Sequence, residues 1–260
     1  MSFGAAPSQE FVMLQLINSS PVPVPATMAR MAELAASGAG TTDEIVRKRG
    51  TMIGLDVGTP LFMEGDEARF LYQVVEGCVC SYKLSIDGRR QITGFHLPGD
   101  LLGVSVHDQH PYGAEPTMRS RIRRYSRNDI QSLLDSRRDC LSWLRAAAEG
   151  ELASAQDQIL LLGRKTVLER LVSFLLLMSC RAEKRGEAGN PVNLPMTRRD
   201  IADFLGLTTE TVSRAFTQLR GAGLIALHGY YQVELRDIDA LHDIADGGEG
   251  PRFDRSRRCA

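Results

Sequence analysis

One segment, Thr197–Leu219, restricts the fold of this chain more than any other, because it encodes two short helices on either side of a sharp turn. Thr197 can cap the first helix, and Asp200 three residues later completes a variant of the capping box. Gly206 suits the turn, since glycine accepts the positive φ that such a helix end requires. Thr208 can cap the second helix. The segment therefore predicts a helix-turn-helix.

The second helix has two chemically different faces. Its apolar residues recur at i, i+4 and i+7 and are expected to face inward: Val212, Phe216 and Leu219. Its polar residues fall together on the opposite face: Glu210, Ser213, Arg214 and Thr217. Arg214 can bind guanine O6 and N7 with two hydrogen bonds, Glu210 can accept from cytosine N4, and Ser213 can add a polar contact or touch a thymine methyl. This chemistry predicts base reading in a DNA major groove, against the alternative of an ordinary solvated face.

The residues around and after the two helices extend the predicted DNA-binding module. Four threonines are expected to support the DNA contact: Thr197, Thr208, Thr209 and Thr217. After Gly221 and Gly223, the run Leu224–Leu235 predicts two short strands around His228 and Gly229. Such a hairpin is a wing, and it makes the module a winged helix.

The stretch from Gly50 to about Arg127 has a different pattern, in which short apolar runs alternate with turn-forming residues. The turn signals recur roughly every 8–12 residues, which is typical of an all-β barrel or sandwich. Asp87 and Gly88 lie between two apolar runs and mark a tight hairpin.

Residues 129–183 contain only Gly150 and Gly163 as potential helix breakers and no proline, which predicts helix. Within this stretch a seam of apolar and small residues recurs at alternating spacings of four and three: Ala148, Leu152, Ala155, Ile159 and Leu162. That spacing is typical of a two-stranded coiled coil. The alternative is a helix packed on its own barrel, but the small Ala148 and Ala155 permit close approach and favour a partner helix.

A second amphipathic helix is predicted from Val167 to about Met178. The loop that follows it, Glu183–Pro191, is rich in glycine and charge. Its composition predicts a hinge between domains.

These motifs resemble the Crp/Fnr superfamily from about Gly50 to Leu241. Four segments are similar to that family's cyclic-nucleotide-binding-type sensor domain: Leu61–Asp66, Val75–Gly77, Asp87–Ile92 and Phe95–Gly103. Leu162–Leu175 is similar to the family's connection between dimer helix and DNA-binding domain. Glu210–Arg214 is similar to the Fnr-like form of the recognition helix.

The resemblance implies an α+β fold, with a cyclic-nucleotide-binding-type β-roll, a long dimerisation helix and a C-terminal winged helix-turn-helix. The implied parts are a flexible arm, the β-roll, the dimerisation helix, the winged helix-turn-helix and a flexible tail, at residues 1–45, 46–128, 129–163, 164–245 and 246–260. The resemblance also implies a homodimer on palindromic double-stranded DNA of the form TTGAT-N4-ATCAA, with bases read by Glu210, Ser213 and Arg214. We expect RNA polymerase as a further partner, mainly for activation.

Two departures from the family pattern restrict the branch. The family's cyclic-AMP binders carry an Arg-Ser pair that holds the cyclic phosphate, whereas Val104–Thr117 has no arginine here and contains Asp108 and Glu115. The iron–sulfur members use clustered N-terminal cysteines, whereas this sequence has none before Cys78. The chain therefore resembles the FixK branch, which implies control of microaerobic or anaerobic respiration, nitrogen fixation or denitrification genes.

Two alternatives remain at this point. A ligand-gated member of the family would bind haem or a small metabolite in the barrel. An enzyme or ligand-binding module with an incidental winged helix would need a catalytic or binding motif, and the sequence shows no nucleophile motif, metal-ligand set or phosphate loop. We predict no enzyme activity, no cofactor and no metal.

Composition is compatible with this interpretation. Hydrophobic residues make up 43% and charged residues 24%, as in folded globular proteins, and no apolar run approaches the length of a membrane span. No basic residue precedes Arg30, so we predict no signal peptide. The five cysteines are scattered and odd in number, which favours a reducing cytoplasm.

Cys180 is a candidate redox site. It is close in sequence to Arg181, Lys184 and Arg185, whose positive charges would favour the thiolate. We hypothesise that its oxidation disturbs DNA binding. The alternative is a bystander cysteine at a helix end.

Overall fold

A computed structural model of the chain describes residues 49–104, 107–136 and 138–248. The flexible arm predicted at residues 1–45 lies outside the described residues, as does the predicted tail beyond residue 248. The N-terminal half of the described chain is rich in strands: β1 Thr51–Leu55, β2 Phe70–Glu76, β3 Val79–Leu84, β4 Arg90–His96, β5 Leu101–Leu102, β6 Gly113–Pro116 and β7 Ser120–Ser126.

These strands form two antiparallel sheets, of order β1-β7-β2-β5 and β4-β3-β6. Apolar side chains from both sheets and the loop before β2 meet in one core: Phe62, Tyr72, Val74, Val79, Leu102, Ala114 and Ile122. Full burial of one large side chain of this kind stabilises the fold by about 1.5–3 kcal/mol. The two sheets are the β-roll that the sequence predicts.

The hairpin between β3 and β4 turns at Asp87 and Gly88, as predicted. Leu84 pairs with Arg90, and the Ser85 amide donates to the Arg89 carbonyl over 2.9 Å. Gly88 has a φ of 78°, which a glycine adopts at little cost. The hairpin therefore places Arg90 at the first position of β4.

Two helices follow the roll, α1 Arg127–Ser136 and α2 Arg138–Arg164, where the sequence predicts a single helix over 129–163. Residue 137, between the two stretches, lies outside the described residues, so one dimerisation helix over 129–163 stays a prediction. The first stretch, α1, packs on the roll. Four buried side chains form that contact: Leu71, Tyr125, Ile130 and Leu133. Among the described helices, none is long and apolar enough to cross a membrane.

The next helix, α3, spans Val167–Lys184 and is longer than the predicted helix ending near Met178. A capping box of Thr166 and Glu169 starts it, and burial of Ala182 in its last turns extends it. The loop after α3 is held within the C-terminal domain, since Ser179 Oγ donates to the Gly189 carbonyl over 2.7 Å. The prediction that this loop is a hinge between domains is wrong, because α3 itself packs in the core of the C-terminal domain.

The C-terminal domain surrounds α3 with three further helices and a small sheet. Its elements are β8 Val192–Asn193, α4 Arg198–Leu205, α5 Thr209–Gly221, β9 Ile225–His228, β10 Gln232–Leu235 and α6 Ile238–Ala245. The predicted wing hairpin is β9 and β10, with Leu235 paired to Ile225. The two-residue β8 joins it as a third strand, giving the order β8-β10-β9.

An aromatic cluster packs the roll against the C-terminal domain. Phe95 of β4 lies 6.0 Å from Phe174 of α3 and 5.3 Å from Phe204 of α4, measured between ring centroids. Phe174 and Phe204 are 5.6 Å apart. Tilted aromatic pairs at such distances add about 0.5–1.5 kcal/mol each beyond their buried area.

We predict that the protein loses stability in mild acid because of His96, which lies next to this cluster. Burial lowers the pKa of His96 to about 4, while Asp100 raises it and Arg181 lowers it by smaller amounts. The unfolded chain, with an ordinary histidine pKa, binds the proton more readily between about pH 6.5 and pH 4, so stability falls as the pH falls through this window. His96 is expected to reduce the free energy of unfolding by about 2 kcal/mol between pH 7 and pH 5.

The measurement is denaturant unfolding at pH 7 and pH 5 for the wild type and His96→Gln. Glutamine keeps a polar group that can reach Ser81 Oγ, 3.1 Å from the histidine Nε2, but does not titrate. The variant is expected to lose about 2 kcal/mol less than the wild type on acidification. An identical pH dependence in the two proteins would contradict the prediction.

Candidate nucleic-acid interface

The first helix of the predicted helix-turn-helix, α4, begins and ends at the residues expected from the sequence. The Asp200 amide donates to Thr197 Oγ1 over 3.2 Å, and the Thr197 amide donates to Asp200 Oδ2 over 2.9 Å. Gly206 ends the helix in the left-handed region, with φ 63°. Thr197 Oγ1 also donates to Asp200 Oδ2 over 2.6 Å, so this hydroxyl serves the helix cap. Its support of DNA stays a prediction.

The second helix, α5, is fixed by a cap and a buried face. The Thr211 amide donates to Thr208 Oγ1 over 3.2 Å. Its inward residues are almost completely buried, as predicted: Val212, Phe216 and Leu219. Because these side chains pack with α4 and α3 in one core, α5 is held as a rigid support for its outer face.

The outer face of α5 presents the four polar residues that the sequence places together: Glu210, Ser213, Arg214 and Thr217. All four are exposed, whereas Thr209 beside them is half-buried. Ser213 Oγ donates to the Thr209 carbonyl over 2.8 Å, and Thr217 Oγ1 donates to the Ser213 carbonyl over 3.0 Å. Both hydroxyl protons are therefore used within the helix, and the hydroxyl oxygens keep lone pairs that can accept from base amino groups.

Glu210 and Arg214 give this face opposite charges one helical turn apart. Hydrogen bonds from its own backbone amide and from the Thr208 hydroxyl lower the pKa of Glu210, and the Arg214 charge acts in the same direction. Glu210 is therefore an ionised acceptor at neutral pH. Among the described residues, Arg214 forms no hydrogen bond or ion pair, so its five N–H donors face solvent.

Arg198 is part of this surface and was missed in the sequence. Its guanidinium carbon lies 3.4 Å from the centroid of the Phe216 ring and 5.9 Å from that of Tyr230 in the wing. Burial lowers the pKa of Arg198. The stack connects α4, α5 and the wing, and it was not visible in the sequence because its partners lie in two later elements.

The predicted dimer seam lies along one face of α2. Four of its residues are exposed in the single chain: Ala148, Leu152, Ala155 and Ile159. The exposed fractions of Leu152 and Ile159, 62% and 70%, are large for such side chains. Leu162 is half-buried and lies beside Gly206 at the end of α4. Leu141, 56% exposed, continues the apolar stripe toward the start of α2.

Cys180 lies inside α3 rather than after the helix, and it is half-buried. Two of the basic groups expected beside it have other partners. Arg181 donates to the Phe95 carbonyl and pairs with Asp100, and Arg185 pairs with Glu187. The redox role of Cys180 stays a prediction.

Sequence comparisons agree with the two parts of the fold. The chain matches a cyclic nucleotide-binding domain over residues 55–137 and a Crp-like helix-turn-helix domain over residues 169–244. It is 39% identical to the nitrogen fixation regulation protein FixK of Bradyrhizobium diazoefficiens over 181 residues, covering 69% of this chain and 76% of that protein. It is 35% identical to the fumarate and nitrate reduction regulatory protein of Escherichia coli over 190 residues, covering 72% and 76%.

Among solved structures, the chain is similar to FixK2 from Bradyrhizobium japonicum. The TM-score is 0.71 at 40% sequence identity. The similarity covers 75% of this chain and 96% of the FixK2 chain. Roll, helices and winged helix are therefore found together in that related protein.

Proposed function

Because the chain belongs to the Crp/Fnr family of DNA-binding transcription regulators, we propose that it binds palindromes of the form TTGAT-N4-ATCAA as a homodimer. The observation that carries this proposal is the outer face of α5. There an ionised Glu210 and an exposed Arg214 project from a helix whose opposite face is fully buried. Such a helix can enter a major groove without losing its support.

The half-site contains one G·C pair. Arg214 fits the guanine of that pair, and Glu210 fits the cytosine. Arg214 can donate two hydrogen bonds to guanine O6 and N7, and Glu210 can accept from the amino group of the paired cytosine. Residues at i and i+4 have Cβ atoms about 5–6 Å apart, so both can reach one base pair. Ser213 lies between them and is assigned to a neighbouring base. Thr197, Thr208, Thr209 and Thr217 are assigned to supporting contacts.

The palindrome requires two copies of α5, and the exposed stripe on α2 supplies a surface for the second copy. The centres of the two half-sites are about nine base pairs apart, close to one helical turn, which is the spacing that two-fold related recognition helices read. A parallel pair of α2 helices would bury Leu152 and Ile159 against the same residues of the partner.

The β-roll does not fit a cyclic nucleotide. Glu115 lies on β6, where its carboxylate is engaged by Arg90. The interior nearby is filled by His110, which is 2% exposed and stacks on Phe62 with ring centroids 3.7 Å apart. A cyclic phosphate needs cationic or N–H donors, whereas Asp108 and Glu115 are anionic. We therefore propose DNA binding without a cyclic-nucleotide effector.

The physiological role follows from the relatives. FixK is named for regulation of nitrogen fixation, and the Escherichia coli relative for regulation of fumarate and nitrate reduction. We propose that this chain controls microaerobic or anaerobic respiration, nitrogen-fixation or denitrification genes. Activation through RNA polymerase is the main mode, with the roll surface available for contact with the polymerase.

The test is DNA binding by the purified chain, under reducing conditions and without added ligand, to TTGAT-N4-ATCAA and to a scrambled duplex. We expect at least about 1,000-fold preference for the palindrome, the lower end of the range for specific regulators. A salt series separates the electrostatic part, which is common to both duplexes, from base reading. Equal affinity for the two duplexes at every salt concentration would overturn the proposal.

A further inference from the structure

Arg90, at the base of the β3–β4 hairpin, connects the roll to the first helix of the helix-turn-helix. Its guanidinium contacts three carboxylates, those of Glu115 in the roll and of Asp200 and Asp203 on α4. The distances to Asp200 and Asp203 are 2.5 Å and 2.9 Å. The four side chains are mostly buried, with 10–23% of their surface exposed. Contacts of this kind are stronger than exposed ion pairs, and the guanidinium fork fixes their geometry.

The C-terminal end of α4 is held by side chains from three other elements. The last carbonyls of a helix have no partners within that helix. Here Gln91 Nε2 donates to the carbonyls of Asp203 and Phe204, over 2.7 Å and 3.2 Å. Gln158 of α2 donates to the Ile92 carbonyl over 2.7 Å and to the Phe204 carbonyl over 3.4 Å.

Arg170 of α3 completes this arrangement. It donates to the Leu205 carbonyl at the end of α4 and to the Leu162 carbonyl near the end of α2, each over 2.9 Å. The roll, the dimer helix and α3 therefore all bind one end of α4. We call the contacts of Arg90, Gln91, Gln158 and Arg170 with α4 the α4 junction.

The carboxylates of the α4 junction need the positive charge of Arg90 to lie close together. Three carboxylates converge on one guanidinium, so the cluster carries an excess of negative charge even when it is complete. Burial acts to lower the pKa of Arg90, but hydrogen bonds with Asp200 and Asp203 outweigh it and raise that pKa above its ordinary value. Without Arg90, the carboxylates would face one another in a partly desolvated space, which is strongly unfavourable.

We propose that Arg90 is a positioning residue for DNA recognition, which fixes α4, and with it α5, at one orientation relative to α2. This inference rests on the proposed palindrome, since it concerns the distance between two recognition helices. Arg90 lies in the roll hairpin and acts through α4 rather than on DNA. The spacing between recognition helices is thereby set by the chain itself, without an effector.

The test is a spacer series of the palindrome, from N2 to N7, together with a single half-site, bound by full-length wild type and Arg90→Ala. The wild type is expected to bind the N4 palindrome at least tenfold more tightly than any other spacer. In Arg90→Ala this preference is expected to fall below threefold, with half-site affinity within twofold of the wild type. Arg89→Ala is the matched control, because Arg89 is exposed and pairs only with Asp87 among the described residues.

Two outcomes would overturn the role of Arg90. One is an unchanged spacer preference in a folded Arg90→Ala protein. The other is an equal loss of affinity for half-site and palindrome, which indicates general destabilisation. If Arg90→Ala does not fold, Gln91→Leu removes the bonds to the two α4 carbonyls together with a bond to the Ile92 carbonyl within the roll, and it is expected to reduce the spacer preference at least threefold. An unchanged preference in Gln91→Leu would then overturn the proposal.

A readout without DNA separates this inference from the proposed function. Spin labels at Val57 in the roll and Arg220 on α5, both exposed, report the distance between the two domains. A narrow distance distribution in the wild type and a broad one in Arg90→Ala would support the α4 junction even if the chain failed to prefer the palindrome. Equally narrow distributions in both proteins would contradict it.

Discussion

Arg214→Ala is expected to weaken binding to TTGAT-N4-ATCAA by at least about 30-fold and to change binding to scrambled DNA by less than about threefold. A bidentate arginine–guanine contact contributes about 1–3 kcal/mol of discrimination, and a homodimer loses it in both half-sites. The guanidinium is exposed and forms no hydrogen bond with a buried group among the described residues, so its removal leaves no buried group unpaired. The loss is therefore one of base reading rather than of folding.

The measurement is equilibrium binding to both duplexes at one salt concentration, supported by thermal unfolding of each variant. Arg89→Ala removes the same charge from a site in the roll hairpin, where Arg89 is 85% exposed at its side chain, and it is expected to bind both duplexes like the wild type. Glu210→Gln should also lose preference for the palindrome, since an amide no longer presents a carboxylate to cytosine. Equal weakening on palindrome and scrambled DNA in Arg214→Ala would show that Arg214 contacts only phosphates.

The helix-turn-helix was predictable almost residue by residue, because its signals are local. The cap at Thr197, the glycine at 206 and the alternation of faces along α5 all lie within one or two turns of the residues they affect. The exposed apolar stripe on α2 was predictable for a similar reason, since its spacing is a helical period, whereas its role as a dimer seam stays a prediction. Short-range capping and side-chain periodicity determine where these helices begin, end and bury their apolar faces.

The features that the sequence did not reveal depend on contacts between distant elements. The contact of α1 with the roll depends on Ile130 and Leu133, which pack against Leu71 and Tyr125. The full length of α3 reflects burial of its last turns. The contacts of Arg90 with Asp200 and Asp203 join side chains more than one hundred residues apart, with no periodicity or motif to mark them. Only the tertiary structure identifies such partners.

Leu152→Glu is expected to convert the proposed dimer into a monomer. Burial of one large apolar side chain contributes about 1.5–3 kcal/mol, and a two-fold interface loses this contribution twice, so dimer affinity should fall by at least about 100-fold. The two introduced carboxylates would also face each other near the two-fold axis. Because Leu152 is 62% exposed in the single chain, the substitution leaves the fold of the monomer intact.

Sedimentation velocity at micromolar concentration measures this change, with the 28.6 kDa chain as the monomer reference. Ser154→Glu is the matched control, since Ser154 is exposed on the opposite side of α2 and receives the same charge. That variant is expected to remain a dimer and to bind the palindrome normally. Leu152→Glu should bind the palindrome no more tightly than a single half-site, because one recognition helix per molecule remains. A Leu152→Glu protein that sediments as a dimer would place the interface on a different face of the chain.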